Sequence, residues 1–505
     1  MATRAIRPKR DEGLLAGNWE SLPERAPSIV RAERPLATRI VAFISLVMVA
    51  VGGLAMVQAA RGKGYLIGPD WGFVWFSLGV GGLLYHAFRD AEVQYRRVYG
   101  MVGAVLLLAG VALRVRPQLF LIFGIPSLAL GMLFFVAVAR NETDAFLRTF
   151  MLRLLGILGG IMILAGLIGG NISPSYVQVE GAILLVLGLL FVGAYIGLLG
   201  TASEEGYWAG FALGVAGLLG FIAAVLQSLF VDGFLVPSGY ILMTACAVYL
   251  MVAFGACSEM KLVVLTRREL SALFYSPIAY FVFLGVLIVG WISFGMFLSG
   301  LRGRGGIFES FMLVNYFLNY PTVVCVTLVV PLVTMRLLSE EKRSGTLEVL
   351  LTAPVNESSI VLSKFSAVLL FYILAFVPWG LFLVGLRIFG GEPFDYRPVL
   401  SFFIAMVFTG AGFLSVGLFW SSLVRNQIVA AVLTSACMLA FTAIYLVSGT
   451  LSGTWAELFG YVSYLDLWLN SLQGLFTPRH LFFHFSLAFF FLYLTTKVLE
   501  ARKWT

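Results

Sequence analysis

Ionisable side chains are scarce in this chain: Asp, Glu, Lys and Arg make up 12% of its 505 residues, against 60% hydrophobic. That balance excludes a soluble multidomain protein and places the chain in a bilayer. Beyond residues 1–39, no polar stretch is long enough to bury a core of its own. Cysteine is nearly absent. Cys246, Cys257, Cys325 and Cys437 are scattered within or near apolar runs, which excludes a disulfide framework or a metal site and leaves them as small apolar residues. Histidine occurs only as His86, His480 and His484. The last two stand four residues apart at the start of an apolar run, but with no carboxylate or cysteine near them in sequence they read as interfacial residues, not as a metal pair. There is no G-x-x-x-x-G-K-[ST] phosphate loop, no H-E-x-x-H and no G-x-S-x-G. The chain is therefore expected to bind no ATP, metal or other cofactor itself and to carry no catalytic residue.

What is present is a succession of apolar runs of the length that crosses hydrocarbon. About eight fall in the first half, near 40–60, 71–88, 99–113, 118–139, 149–169, 180–200, 208–230 and 239–257. About six follow, near 278–298, 320–338, 361–386, 398–422, 427–447 and 480–498. Within them ionisable residues are almost missing: Arg153 lies near the end of its run and Glu180 at a boundary. Ion-coupled transporters keep charged groups near the midplane, so their lack argues against a secondary transporter and fits a permease energised from outside the membrane. The net charge of +8 is spread over loops and tails, which argues for membrane orientation and against nucleic acid as a partner. With the N-terminus cytosolic, the inner segments of the first half carry sixteen Lys/Arg and the outer loops four, namely Arg61, Lys63, Arg114 and Arg116. That asymmetry has the direction expected of cytosolic termini. Residues 1–39 hold eight Lys/Arg against five Asp/Glu and no apolar stretch, and are expected to form a disordered cytosolic tail before a retained first span.

Three segments between the runs carry pattern. In 258–277, Leu262, Val263, Thr266, Leu270, Leu273 and Phe274 share one face of a helix while Lys261 and Arg268 point away. This is the pattern of a basic amphipathic helix lying along the interface, with Pro277 at the turn into the next span. Residues 448–474 are too polar to cross and too apolar for a free loop, which predicts short helices at the outer leaflet with Asp466 among aromatics. Residues 334–364, TMRLLSEEKRSGTLEVLLTAPVNESSIVLSK, place Glu340, Glu341, Lys342 and Arg343 between two apolar runs, so the segment protrudes from the membrane. Leu347, Leu350 and Leu351 then form an apolar stripe on a short helix that Pro354 ends. Glycine pairs at Gly156/Gly160, Gly166/Gly170 and Gly210/Gly214 predict close helix packing and carry no chemistry.

The wording of 334–364 resembles the type-2 ABC transporter permeases, most closely the gliding-motility-associated permease subunit and its relatives. TRRELSALFYSPIAYFVF at 266–283 looks like that family's entry segment, and SLQGLFTPRHLFFHFSLAFFFLYLTTKVLEARKW at 471–504 like its last span and basic tail. The likeness covers roughly 258–505 and does not extend to 1–257. It implies an all-α polytopic membrane protein of about 14 transmembrane helices in the bacterial inner membrane, with both termini cytosolic. The cytosolic tail (1–39) and an N-terminal region of about eight helices (40–257) would precede an interfacial helix at 258–277, carrying Arg267, Arg268 and Glu269. A six-helix exporter permease unit would occupy 278–505. ATP would be bound by a partner ABC ATPase subunit. Thr346, Leu347 and Glu348 would contact that subunit, and Leu347, Leu350 and Leu351 would dock into its cleft. Glu340 and Glu341 would cap the inner end of the preceding span and pair with Arg267 or Arg268. A permease dimer, of like or unlike chains, belongs to the same expectation, and the first half is left as scaffold, extra interface or platform for a periplasmic accessory subunit. The alternative is a membrane scaffold or assembly protein with a degenerate permease fold.

Overall fold

The computed structural model describes residues 36–60, 69–89, 93–115, 120–173, 176, 180–200, 203–303, 316–318, 320–352, 355–388, 397–475 and 477–502. Among these residues every regular element is helical and none is a strand. The α-helices are α1 (Leu36–Ala60), α2 (Pro69–Arg89), α3 (Val93–Ala112), α4 (Ile125–Asn141), α5 (Ala145–Ile172), α6 (Ala182–Leu199), α7 (Glu204–Phe230) and α8 (Tyr240–Cys257). They continue with α9 (Lys261–Tyr275), α10 (Pro277–Gly303), α11 (Tyr320–Thr334), α12 (Ser339–Ser344), α13 (Thr346–Thr352) and α14 (Glu357–Ile388). The last are α15 (Arg397–Leu423), α16 (Gln427–Ser448), α17 (Thr454–Val462), α18 (Tyr464–Leu472) and α19 (Pro478–Arg502). An all-α polytopic membrane protein is therefore what this chain forms.

Eleven of these helices are long and apolar enough to cross a bilayer by length and composition. Three of the fourteen expected runs fall elsewhere. The run at 71–88 is α2, whose apolar character is diluted by glycines, Tyr85 and His86. The run at 118–139 resolves into a five-residue π-turn and the 17-residue α4. The run at 320–338 stops at Thr334, after only 15 helical residues, and the chain turns before α12. Most of the 1–39 tail, Arg61, Lys63, Arg116, Pro354 and the side chains of Cys325 and Leu351 lie outside the described residues.

The chain divides into two compact units, 1–102 and 103–505, with the boundary inside α3. In the first, α1 and α2 meet backbone to backbone: a Cβ on Gly52 would fall 2.5 Å from the Phe76 amide nitrogen. Buried His86 joins Tyr99 through Nδ1 and the phenol oxygen at 2.9 Å.

In the second unit, α5 pairs with α6 and α7 with α8. A shared core contains Ile163, Leu185, Val192, Leu213, Cys246 and Tyr249. Tyr249 donates to the Leu185 carbonyl at 2.8 Å, satisfying a phenol that would otherwise be orphaned in hydrocarbon. Farther along the chain, a larger core gathers α10, α11, α14, α15 and α18 around Trp379, Phe402 and Trp468. Trp379 donates to the Val286 carbonyl at 3.2 Å, Tyr316 to the Trp379 carbonyl at 2.9 Å, and Trp468 to Thr409 Oγ1 at 3.2 Å. Lipid tails are as apolar as these rings, so close packing and internal hydrogen bonds hold the helices together more than expulsion of water does.

The amphipathic helix expected at 258–277 forms as α9. Phe274 stacks on Phe283 at 5.9 Å and meets Phe371 at 5.7 Å, while the Arg268 side chain stays 64% exposed. The short helices expected in 448–474 form as α17 and α18, with Asp466 half-buried in the first turn of α18. The Ser463 hydroxyl caps that turn by accepting from the Asp466 amide at 3.3 Å.

Candidate functional site

The junction between α11 and α12 is built by α15. Gly417 of α15 faces Thr334 so closely that a Cβ there would collide with the threonine Oγ1. One turn on, the buried Ser421 hydroxyl accepts from the amides of Leu338 and Ser339, both at 3.1 Å. These are first-turn amides of a helix, which have no intrahelical partner. The close approach and the hydroxyl sit at the four-residue turn that separates the end of α11 from the start of α12. Gly345, at φ 75°, separates α12 from α13; the left-handed conformation there is one that glycine adopts without a Cβ penalty.

Two sets of charges sit on this scaffold. Arg336 forms a two-pronged pair with Glu340, Nε to Oε2 at 2.7 Å and Nη2 to Oε1 at 2.8 Å, and its Nη1 donates to Ser276 Oγ at 2.7 Å. Ser276 closes α9, so this arginine ties the end of α9 to α12. Deeper in, Lys364 of α14 has its side chain only 2% exposed and bridges two acids. Its Nζ donates to Glu269 Oε2 of α9 at 2.8 Å and to Glu341 Oε1 of α12 at 2.6 Å. One ammonium thus joins three helices that are far apart in sequence. Removing one member of such a buried set leaves an uncompensated charge, at about 3–5 kcal/mol. Beside it opens a cavity of about 220 Å³ with Lys364, Glu341 and Arg336 at its polar end and Val282, Leu332 and Phe371 at its apolar end.

The two neighbouring acids titrate in opposite directions. The hydrogen bond from Arg336 holds the Glu340 carboxyl below its ordinary value. Burial pushes Glu341 up, and this outweighs the attraction of Lys364. Glu341 Oε2 is buried without a hydrogen-bond partner, which is why ionisation costs more here than at Glu340.

The residues singled out in the sequence are distributed unevenly over this site. Thr346 and Glu348 are exposed on α13, beside exposed Arg343, Ser344 and Gly345. Leu347 is 4% exposed and Leu350 packs against the same core, so both are spent inside the chain. At Leu347 the expected docking into a partner's cleft meets a side chain already packed on the chain's own core, while Leu350 is partly buried there and the Leu351 side chain lies outside the described residues. The expected pairing of Glu340 and Glu341 with Arg267 or Arg268 is corrected, since Arg336 and Lys364 hold them. Arg267 instead reaches the carbonyls of Ala256 and Ser258, at 3.0 and 3.4 Å. Glu269, in α9, is a member of the buried cluster around Lys364, with Arg268 at 3.9 Å.

Lys364 and Ser421 were not singled out as site residues. A signal for Lys364 was there: a lysine two turns inside α14 calls for a buried acid, although the nearest in sequence, Glu357 and Glu348, are not the ones it meets. Ser421 offers none, since serines are common in spans. Among the described residues no group of His, Cys, Asp and Glu could hold a metal ion. The arrangement offers no nucleophile beside a base. What it can do is transmit displacement between an exposed helical knuckle and three helices bound through one ammonium.

Residues 274–447 match the model of the family described as ABC-2 family transporter protein. The match begins in the last turn of α9 and ends within α16, so it takes in Arg336, Glu340, Glu341, Lys364 and Ser421 but not Glu269. It supports an ABC-2 type permease, a membrane component of an ABC transporter and a multi-pass membrane protein. No curated protein and no solved structure matches the chain.

Proposed function

We propose that the chain is the permease subunit of an ABC exporter, worked by a separate ATPase subunit that presses on the α12–α13 knuckle. The observation that carries this reading is Lys364, which makes α9, α12 and α14 a single ionic unit. A push on the exposed face of Arg343, Thr346 and Glu348 displaces α12. Parting Glu341 from Lys364 would strand two desolvated charges, so α9 and α14 follow. Ser421 and the Thr334–Gly417 contact convey the same movement to α15. The spans then repack, and substrate moves without any chemistry by this chain. ATP chemistry belongs to the partner, because binding triphosphate takes a glycine-rich cradle of backbone amides that this sequence lacks.

In this reading the protein sits in the bacterial inner membrane with both termini cytosolic and works as a dimer of like or unlike permease chains. Kinship with the gliding-motility-associated permease, and a periplasmic accessory subunit resting on the first half, belong to the same proposal. The test is purification in mild detergent from the native host. The chain alone is expected to hydrolyse no ATP, and a phosphate-loop ATPase is expected to co-purify and to turn over ATP. Hydrolysis by the isolated chain overturns the proposal. Absence of any co-purifying ATPase favours a membrane scaffold instead.

A further inference from the structure

In the first half of the chain, α5, α6 and α7 enclose a trough of about 510 Å³ that the permease reading leaves without a role. Its walls are small or aliphatic: Gly156, Ile157, Gly160, Leu164, Ala209 and Ala212. At one end stand the only polar groups lining it, Arg153, Tyr195 and Glu205. Arg153 Nη2 donates to Glu205 Oε1 at 2.8 Å, and the Tyr195 hydroxyl donates to Glu205 Oε2 at 3.3 Å. Both carboxylate oxygens therefore have donors. The guanidinium carries five N–H groups, has one directed at Glu205, and is 60% exposed. The unspent capacity of this cluster is donor capacity, directed outward at the mouth of an apolar trough.

We infer that the trough seats one phospholipid, with an acyl chain along the Gly156–Gly160 wall and the phosphate against Arg153. Water cannot fill the floor. A volume of that size would take about 17 molecules at roughly 30 Å³ each, and each would need two to four polar partners that aliphatic walls do not supply. An empty trough would forfeit the dispersion contacts of its whole lining.

The depth agrees with a headgroup at Arg153. The 28 residues of α5 run about 42 Å against a hydrocarbon thickness of about 30 Å, and Arg153 lies about 12 Å from the start of the helix. With that excess of about 12 Å placed at the end carrying Arg148 and Arg153, the guanidinium stands at the edge of the hydrocarbon, within reach of lipid phosphates. A helix of another subunit would also fit small-residue walls. Such a helix would have to bring an acceptor to the guanidinium N–H groups that Glu205 leaves open, whereas a phospholipid brings an anionic phosphodiester already joined to a chain. The inference uses nothing of the ATPase coupling proposed above.

Gly160 provides the test, because a Cβ added there meets no atom within 4 Å. Gly160→Leu would fill the trough from inside without displacing the protein, and Gly193→Leu, at another glycine with open space, adds the same bulk away from the lining. The full chain, delipidated in detergent, would be titrated with palmitoyl-oleoyl phosphatidylglycerol and followed by native mass spectrometry. The wild type and Gly193→Leu are expected to retain one lipid. Arg153→Gln should weaken retention at least ten-fold, and Gly160→Leu should abolish it while eluting as a folded monodisperse species. Glycerol 3-phosphate should not compete, which separates a lipid from a free phosphate. Equal retention by wild type and Gly160→Leu overturns the inference. So does loss of a co-purifying subunit, with lipid unchanged, in the Gly160→Leu protein.

Discussion

Lys364 Nζ lies 2.6 Å from Glu341 Oε1, across 23 residues of chain and from one helix to another, with the lysine side chain 2% exposed. The same nitrogen holds Glu269 from 95 residues away. Helices that contact one another through apolar side chains can slide; helices that share one desolvated ammonium cannot part without exposing charge in a medium that solvates it poorly.

Replacing Lys364 by Met should therefore be severe, because Glu269 and Glu341 would face each other uncompensated. A loss of about 3–5 kcal/mol is expected, read as a lowered unfolding temperature of the detergent-solubilised protein. Adding Glu341→Gln to Lys364→Met should recover part of that loss. A double variant no more stable than the single one would show that the charges are solvated.

Gly417→Ala should destabilise by about 1–3 kcal/mol, since the new methyl meets Thr334. Thr334→Ala in the same protein should restore part of it by removing Oγ1 and Cγ2, while the Thr334 Cβ, 2.8 Å from the new methyl, stays in contact. A thermal-shift comparison of the four proteins measures the coupling, and additive losses would place the strain elsewhere.

On α13 the exposed and buried positions should behave differently. Glu348→Lys is expected to leave stability within about 0.5 kcal/mol, as for surface sites, while weakening co-purification of the ATPase subunit through like-charge contact. Leu347→Ala, at a buried position, should cost about 2–5 kcal/mol. A Glu348→Lys protein with undiminished ATPase binding and transport would assign this helix to structure alone.

Acid titration should separate the two glutamates. Glu340 has its folded pKa below the ordinary 4.5, so the stability it contributes is present above that value and is lost as pH falls below it. Glu341 has its folded pKa above 4.5, so the folded state takes up the proton more readily, and stability falls as pH rises from 4.5 through the folded value. Unfolding midpoints of Glu340→Gln should lose the acid-side slope, and those of Glu341→Gln the slope above 4.5. Identical profiles for the two variants would contradict the arrangement.

Topology offers a direct measurement. Cysteines at Ser203 and Ser344 should react with an impermeant maleimide only after the inner membrane is opened, whereas one at Ser452 should react in intact spheroplasts. The expectation rests on the sixteen-to-four distribution of basic residues. Four helices separate Ser203 from Ser344, namely α7, α8, α10 and the 15-residue α11, so opposite reactivity would show that α11 does not cross.

Length, apolar composition and local period determined much of this protein on their own. The all-α membrane class, the helix α9, the short helices of 454–472 and the helices α12 and α13 all follow from patterns within a window of a few turns, and each forms where that pattern lies. Three outcomes belong to the tertiary structure. Leu347 turns inward because α13 rests on its own bundle, which a helical stripe cannot disclose: the stripe marks which side is apolar and not what covers it. Lys364 joins Glu269 and Glu341 because three distant helices converge, and a charge in a sequence names the sign of its partner but not its address. The trough beside Gly160 is lined by α5, α6 and α7, and at the level of sequence the same glycine could equally have met a neighbouring backbone, as Gly159 does.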